Sequence, residues 1–281
     1  MKKALLSLAL LAAASFAGTI PDTAKLGQFY AGCQAYSFRL YTVFEAIDKT
    51  AQTGGRTIEF YPGQKFDDTS KWDHGATPEM IEKVKKHLEA KGLTAVGYGV
   101  VKLGKDAAAD RKVFEFCKKL GIGVVVTEPE VAGLDGIEAL VKEFDIKMAI
   151  HNHPKRPLDR AYLFWDPNYV LSLVKDRDPR MGACADVGHW VRSGLDPVEC
   201  VKILKGRIFD SHMKDLNEFG VVKAHDLPFG QGKSNIAGIL AEYHAQGYPG
   251  PLHCEYEHNW ETSVPEITQC LDFVKNWKPA K

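Results

Sequence analysis

Along the chain, short runs of apolar and β-branched residues alternate with segments whose apolar positions recur every three to four residues. The short runs are 31–38, 56–62, 93–101, 122–130, 147–153, 180–189, 207–215 and 251–258. Their near-continuous apolar character is the pattern of strands covered on both faces, as in a parallel sheet. The segments between them read as helices with recognisable ends. Thr77 and Pro78 open one that runs to Gly92, with a hydroxyl cap and proline at the start and glycine at the exit. Asp166-Pro167 and Asp196-Pro197 open others over 166–176 and 196–206, and 109–121 and 263–277 follow the same period. Eight strands each followed by a helix predict one closed parallel (β/α)8 barrel. An open doubly wound sheet is the competitor, but no G-x-G-x-x-G opens the first unit.

The first residues follow a different pattern. Lys2 and Lys3 precede the apolar run 4–14, and Ser15-Phe16-Ala17 supplies a small-residue exit. Such a segment reads as a secretory leader cleaved after Ala17, with an N-terminal membrane anchor as the weaker alternative, since the run is short for a bilayer. The expected organisation is a leader over 1–17 and a single barrel domain over 18–281, exported to a bacterial periplasm or beyond, with no membrane insertion. Lys plus Arg and Asp plus Glu both number 36. That balance argues against nucleic acid as a partner, which favours a basic stripe. None of the six cysteines forms a C-x-x-C. Cys254 and Cys270 could pair if the last strand and helix pack together, although buried free thiols fit equally well. Oligomeric state is left open.

Chemistry gathers at the carboxyl ends of the predicted strands. In 148-MAIHNHP-154, His151 and His153 are two apart and share the face of Ala149, whereas Met148 and Ile150 face the other way. Reading strand by strand gives Glu59, Glu128 with Glu130, His151 with His153, Asp186 with His189, His212 with Lys214, and Glu255 with Glu257. Taken singly, a strand-end histidine is more often structural than a ligand, and Glu130 beside its turn reads as a loop carboxylate. Together they need an explanation, because an unpaired charge in so apolar a setting costs several kcal/mol. One divalent cation would compensate the carboxylates. Oxygen and imidazole donors without thiolate suit Mn, Mg, Co or Zn. Two long connections, 154–165 and 216–235, follow strands five and seven, where loops of such a barrel build its active site.

With 185-ADVGHW-190, 211-SHMKD-215, 228-PFGQG-232 and 253-HCEYEH-258 in this order, the chain resembles the xylose isomerase-like TIM-barrel superfamily, which includes sugar phosphate isomerases and epimerases. The resemblance covers essentially the whole mature chain. It implies that Asp186, His212 and Glu255 bind metal. Many relatives carry a fourth ligand, a glutamate, on the fifth strand; here that strand reads 150-IHNHP-154 and resembles an HNH-bearing branch. No glutamate follows in 154–162, so His153 or Glu128 is left to complete the set, and His151 is free to act as a base.

The superfamily's usual substrates, sugars and polyols bearing a carbonyl, make proton removal next to C=O the expected step, with an enediolate intermediate. His151, Lys214 and Glu59 are the candidate catalytic groups. Lys214 could meet a developing oxyanion or a substrate hydroxyl, or simply form a salt bridge with Asp186 or Glu255. His189, Trp165, Trp190 and Glu257 are candidate substrate contacts, and Tyr36, Phe38, Tyr61 and Trp260 are further aromatics near the mouth. His189 could alternatively orient Asp186 or bind a second metal. His225 and Asp226 resemble additional-metal positions of DNA-repair relatives, although solvated loop polar residues are the simpler reading. Export favours a non-phosphorylated keto-sugar or 3-keto-glycoside, changed by isomerisation, epimerisation or elimination. The alternatives are a non-catalytic sugar-binding barrel and, further off, a metal-dependent phosphodiesterase.

Overall fold

A computed structural model describes residues 19–279, so the leader-like segment 1–17 lies outside the described residues. Eight strands form the barrel: β1 (Phe29–Gln34), β2 (Thr57–Phe60), β3 (Thr94–Val101), β4 (Val124–Thr127), β5 (Lys147–His151), β6 (Met181–Asp186), β7 (Ile208–Met213) and β8 (Pro251–Cys254). Each pairs in parallel with the next, and β8 pairs with β1 to close the sheet. Nine helices lie among the described residues: α1 (Val43–Gln52), α2 (Pro78–Lys91), α3 (Ala107–Leu120), α4 (Leu134–Phe144), α5 (Pro167–Val174), α6 (Val187–Arg192), α7 (Pro197–Ile203), α8 (Ile236–Gln246) and α9 (Val264–Asn276). None is long and apolar enough to cross a membrane.

The helix ends lie where local chemistry puts them. Thr77 caps α2 by accepting from Met80 N–H, and Gly92 closes it at φ 64°. Thr42 and Glu45 form a reciprocal capping box on α1. The large apolar cluster, including Phe60, Trp72, Phe114 and Tyr243, packs strands against helices. Inside the barrel a much smaller cluster of Val124, Val126, Ala149 and Cys184 packs with Val100 and Phe209. Above it, toward the carboxyl ends of the strands, the buried polar groups Glu59, Asp210, His212 and His253 gather.

Several strands are shorter than their apolar runs, for one reason. Near the carboxyl end, side chains begin to bond the backbone and end the ladder. Gln34 accepts from Tyr36 N–H at 2.6 Å and turns the chain into the 3-10 segment Ala35–Phe38. Asp186 accepts from His189 N–H at 2.7 Å and caps α6. The expected strand 180–189 is thus a strand to Asp186 and a helix thereafter, and His189 sits on that helix. All six cysteines are buried free thiols, Cys254 and Cys270 included, so the considered disulfide is absent.

Candidate active site

Register brings three strand ends side by side. Asp186 is the Cα partner of His212, and His212 in turn of His253, two residues before Glu255. His151 closes β5 opposite Cys184. One donor atom from each of His151, Asp186, His212 and Glu255 lies within 4.8 Å of the others, and all four residues are buried. Asn152 explains the sequence between the two histidines. Its amide faces away from them, donates to Asp186 O at 2.9 Å and accepts from Asp186 N–H at 3.0 Å. The two imidazoles thereby face the mouth while the asparagine clamps β5 to β6.

These four donors fit a divalent cation in type and in spacing. Both ring nitrogens of His151 are buried without a hydrogen-bond partner, and so is His212 Nδ1, which lies 3.1 Å from Glu255 Oε2 but out of alignment with it. Buried polar atoms are rarely left so, and ligation would satisfy them. Burial holds His151 below its ordinary pKa against the pull of Asp186, so one ring lone pair is available. Lys214 occupies the same corner. Its ammonium bonds Asp186 Oδ2 at 2.5 Å and Glu255 Oε2, with Glu257 Oε2 at 3.7 Å. Despite burial, Asp186, Glu255 and Glu257 raise the Lys214 pKa well above its usual value. Asp186 and Glu255 stay ionised although burial opposes it, Asp186 beside His189 and Lys214, Glu255 beside Lys214 and His212. Of the two readings for Lys214, the salt bridge is what forms, and it forms to both carboxylates.

A second group faces the same opening. His153 Nδ1 lies 2.6 Å from Glu128 Oε1, and the same oxygen accepts from the Tyr162 hydroxyl at 2.5 Å. Tyr162 in turn accepts from His153 N–H at 2.7 Å. Burial alone would raise the Glu128 pKa, but His153 and then Tyr162 bring it down to about 2. A carboxylate only accepts, so His153 presents an Nδ1–H to Glu128 and turns its Nε2 edge away from it. Glu128 and His153 therefore pair with each other, and the fourth donor beside Asp186, His212 and Glu255 is His151. Glu128, His151 and His153 also bring one donor atom each within 4.8 Å of one another, so both histidines and Glu128 stand at the same mouth.

Glu59 lies beneath the mouth, fully buried. Its Oε2 takes His212 Nε2 at 2.7 Å and lies 3.3 Å from His253 Nδ1, which bonds Asp210 Oδ1 at 2.8 Å. Burial raises the Glu59 pKa, yet His212 and His253 lower it to about 2. Glu59 thus orients His212 and does not reach the cavity, so the expected acid/base role passes elsewhere. The cavity itself, of about 320 Å³, is walled by Tyr36, Tyr61, His151, His153, His189 and Glu257 among others.

His189 and Glu257 therefore meet the cavity as expected. Trp165 and Trp190 do not line it. Trp190, 1 % exposed, turns into the helix layer because α6 starts immediately after Asp186. Trp165 carries Lys155 Nζ 4.5 Å above its ring. Asp226 is fully buried rather than solvated, accepting from Glu257 N–H at 3.1 Å, and His225 packs against His258 with centroids 4.5 Å apart. Two contributors escaped the sequence reading. Tyr162 belongs to the long loop after β5, and Arg192 bridges Glu257 Oε2 (3.0 Å), His189 Nδ1 (3.1 Å) and Ala224 O (3.0 Å). No local spacing announces either one. The 228–232 turn is likewise held from within, since Asp215 accepts from the N–H groups of Gly230, Gly232 and Ser234.

Comparison with known proteins agrees with this architecture. An inosose dehydratase of Mesomycoplasma hyopneumoniae (strain 7448) is 25% identical over 240 residues, covering 73% of each chain. A crystallised protein of uncharacterised activity from Parabacteroides distasonis superposes with a TM-score of 0.71 at 29% identity, over 88% of this chain and 98% of that one. A D-tagatose 3-epimerase-like protein, 18% identical, has the same fold, with a TM-score of 0.67 over 88% and 98% of the two chains. The xylose isomerase-like TIM barrel family matches residues 47–276, and the chain belongs to that family.

Proposed function

We propose that this protein is an enzyme that removes a proton next to the carbonyl of a non-phosphorylated keto-sugar or 3-keto-glycoside, leading to isomerisation, epimerisation or elimination. The observation that carries the proposal is the convergence of His151, Asp186, His212 and Glu255 at one mouth, beside an imidazole paired to a buried carboxylate. The relative named for dehydrating inosose supports chemistry on a carbohydrate-like substrate and gives elimination weight beside isomerisation. The leader-like first residues favour substrates met outside the cytoplasm, which is why a free sugar is preferred over a sugar phosphate.

One divalent cation, Mn, Mg, Co or Zn, would polarise the carbonyl and stabilise the oxygen as it gains charge. The chain's own groups do the rest. His153 Nε2 accepts the proton, and the resulting imidazolium is held by Glu128. Tyr162 fixes the carboxylate that fixes the ring. Lys214 would share Asp186 and Glu255 with the ion, and Glu257 and His189, which line the cavity, meet substrate hydroxyls. Tyr36 and Tyr61 offer aromatic walls to an apolar sugar face.

Elemental analysis of the purified protein should find about one divalent ion per chain, and Asp186→Ala should lose it. In deuterated buffer, 3-keto-glucosides or free ketoses should exchange hydrogen beside the carbonyl. Bound metal with no exchange across the panel, and no effect of His153→Ala on any measured property, would favour a sugar-binding barrel without chemistry.

A further inference from the structure

A second cavity, of about 480 Å³, opens at the opposite end of the barrel. Its size falls in the roughly 300–1,000 Å³ range of small-molecule sites. Its walls include the first or second residues of several strands: Tyr30, Val124, Lys147, Phe209 and Pro251. Most of that surface is apolar, and one group in it is unmatched. Lys147 opens β5 and shares its face with Ala149, which packs in the interior cluster beside Val124. Its side chain is therefore directed to the barrel interior rather than to the helix layer.

Lys147 Nζ lies 5.3 Å from the centroid of the Phe209 ring. Among the described residues no carboxylate oxygen comes within 4.0 Å of it. The other charges nearby satisfy one another: Arg180 bonds Asp145 at 2.7 Å and Asp178 at 2.8 Å. Burial lowers the Lys147 pKa, and Asp145 only partly offsets it. An ammonium so placed gains from an anion that enters with it. The ring beside it also offers a flat apolar surface.

We propose that this lower cavity binds a small carboxylate with an apolar body, an aromatic or branched aliphatic acid, whose carboxylate pairs with Lys147 and whose body lies against Phe209 and Val124. The site is separate from the catalytic mouth. The apolar plug of Val126, Ala149 and Cys184, and the layer of Glu59, Asp210 and His253, lie between the two ends. Charge and apolar body act together: an ion pair alone must overcome the hydration of both charges, and an apolar body alone would bury Lys147 further without a partner.

Calorimetric titration of the full chain with benzoate tests this, with benzyl alcohol lacking the charge and acetate lacking the body. Benzoate should saturate at one site per chain, and both controls should bind about tenfold more weakly or worse. Lys147→Met should weaken benzoate by about tenfold or more, Lys147→Arg should retain it, and Asp186→Asn should leave it unchanged. Absence of saturable benzoate binding, equal affinity in Lys147→Met, or loss in Asp186→Asn, which would move the ligand to the other mouth, would each overturn the proposal.

Discussion

At the scale of single residues, the site works through pairs in which one side chain fixes what its neighbour presents. Glu128 holds His153 with the proton on Nδ1. Glu128→Gln removes the charge that stabilises the imidazolium and lets the amide select the wrong tautomer. We expect the exchange rate at saturating substrate to fall by about 100-fold or more with little change in KM. Tyr162→Phe, which leaves the ion pair intact, should cost less. Lys214 is the second such pair. Asp186 Oδ1 is taken by His189 N–H, so the Lys214 ammonium holds the oxygen that a cation would use. Lys214→Met should destabilise the metal-free protein by about 3–5 kcal/mol by leaving buried carboxylates uncompensated. Added Mn²⁺ should then raise its Tm by more than it raises that of the wild type. An equal shift in both proteins would show that the amine and the ion do not share ligands. The spacing of His151 and His153 could be read from the sequence. The pairing of His153 with Glu128 could not, because the two are 25 residues apart and only the alignment of β4 on β5 brings them together.

Elements hold these pairs through close backbone contact. Gly32 in β1 packs on β2 so tightly that a Cβ there would stand 1.7 Å from Thr57 O. Gly32→Ala must push apart the strand that precedes Gln34 and the one that carries Glu59. We expect a loss of about 3 kcal/mol or more in urea unfolding, with a lower yield of folded protein. A wild-type midpoint would mean that the two strands can separate freely. At this scale the sequence was informative: caps such as Thr77 and Asp196 and exits such as Gly92 are local chemistry and lie where expected. Strand ends were less legible. Apolar character runs past the point where Asp186 leaves the ladder to cap α6, and a capping aspartate reads the same in sequence as a ligand.

Across the whole molecule, the stability profile should record an unsatisfied buried carboxyl. Asp226 joins the ribbon Asp226–Leu227 to the start of the mouth, with Oδ1 buried and unpartnered. Burial lifts its pKa to about 7, although Lys214 and Arg192 oppose the rise. The folded chain therefore binds more protons than the unfolded chain between about pH 4 and 7, and this contribution to stability is lost as pH rises through that window. Glu128 acts in the opposite sense: its low folded pKa gives stability that is lost as pH falls from about 4.5 toward 2. Asp226→Asn should lose less stability than the wild type between pH 5 and pH 8 in urea unfolding, by about 1–3 kcal/mol. Parallel curves for the two proteins would refute the assignment.

Sequence by itself determined the eight barrel strands and their alternation with helices, the end of the barrel at which reactive groups gather, and the family. Each of these depends on periodicity, capping or a short motif, all encoded within a few neighbouring residues. Tertiary structure decided which oxygen meets which nitrogen. It placed Glu59 beneath His212, drew Tyr162 onto Glu128, set Lys214 between Asp186 and Glu255, and turned Trp190 into the core. Those pairings depend on strand register and barrel closure, which bring residues far apart in the chain to within hydrogen-bonding distance.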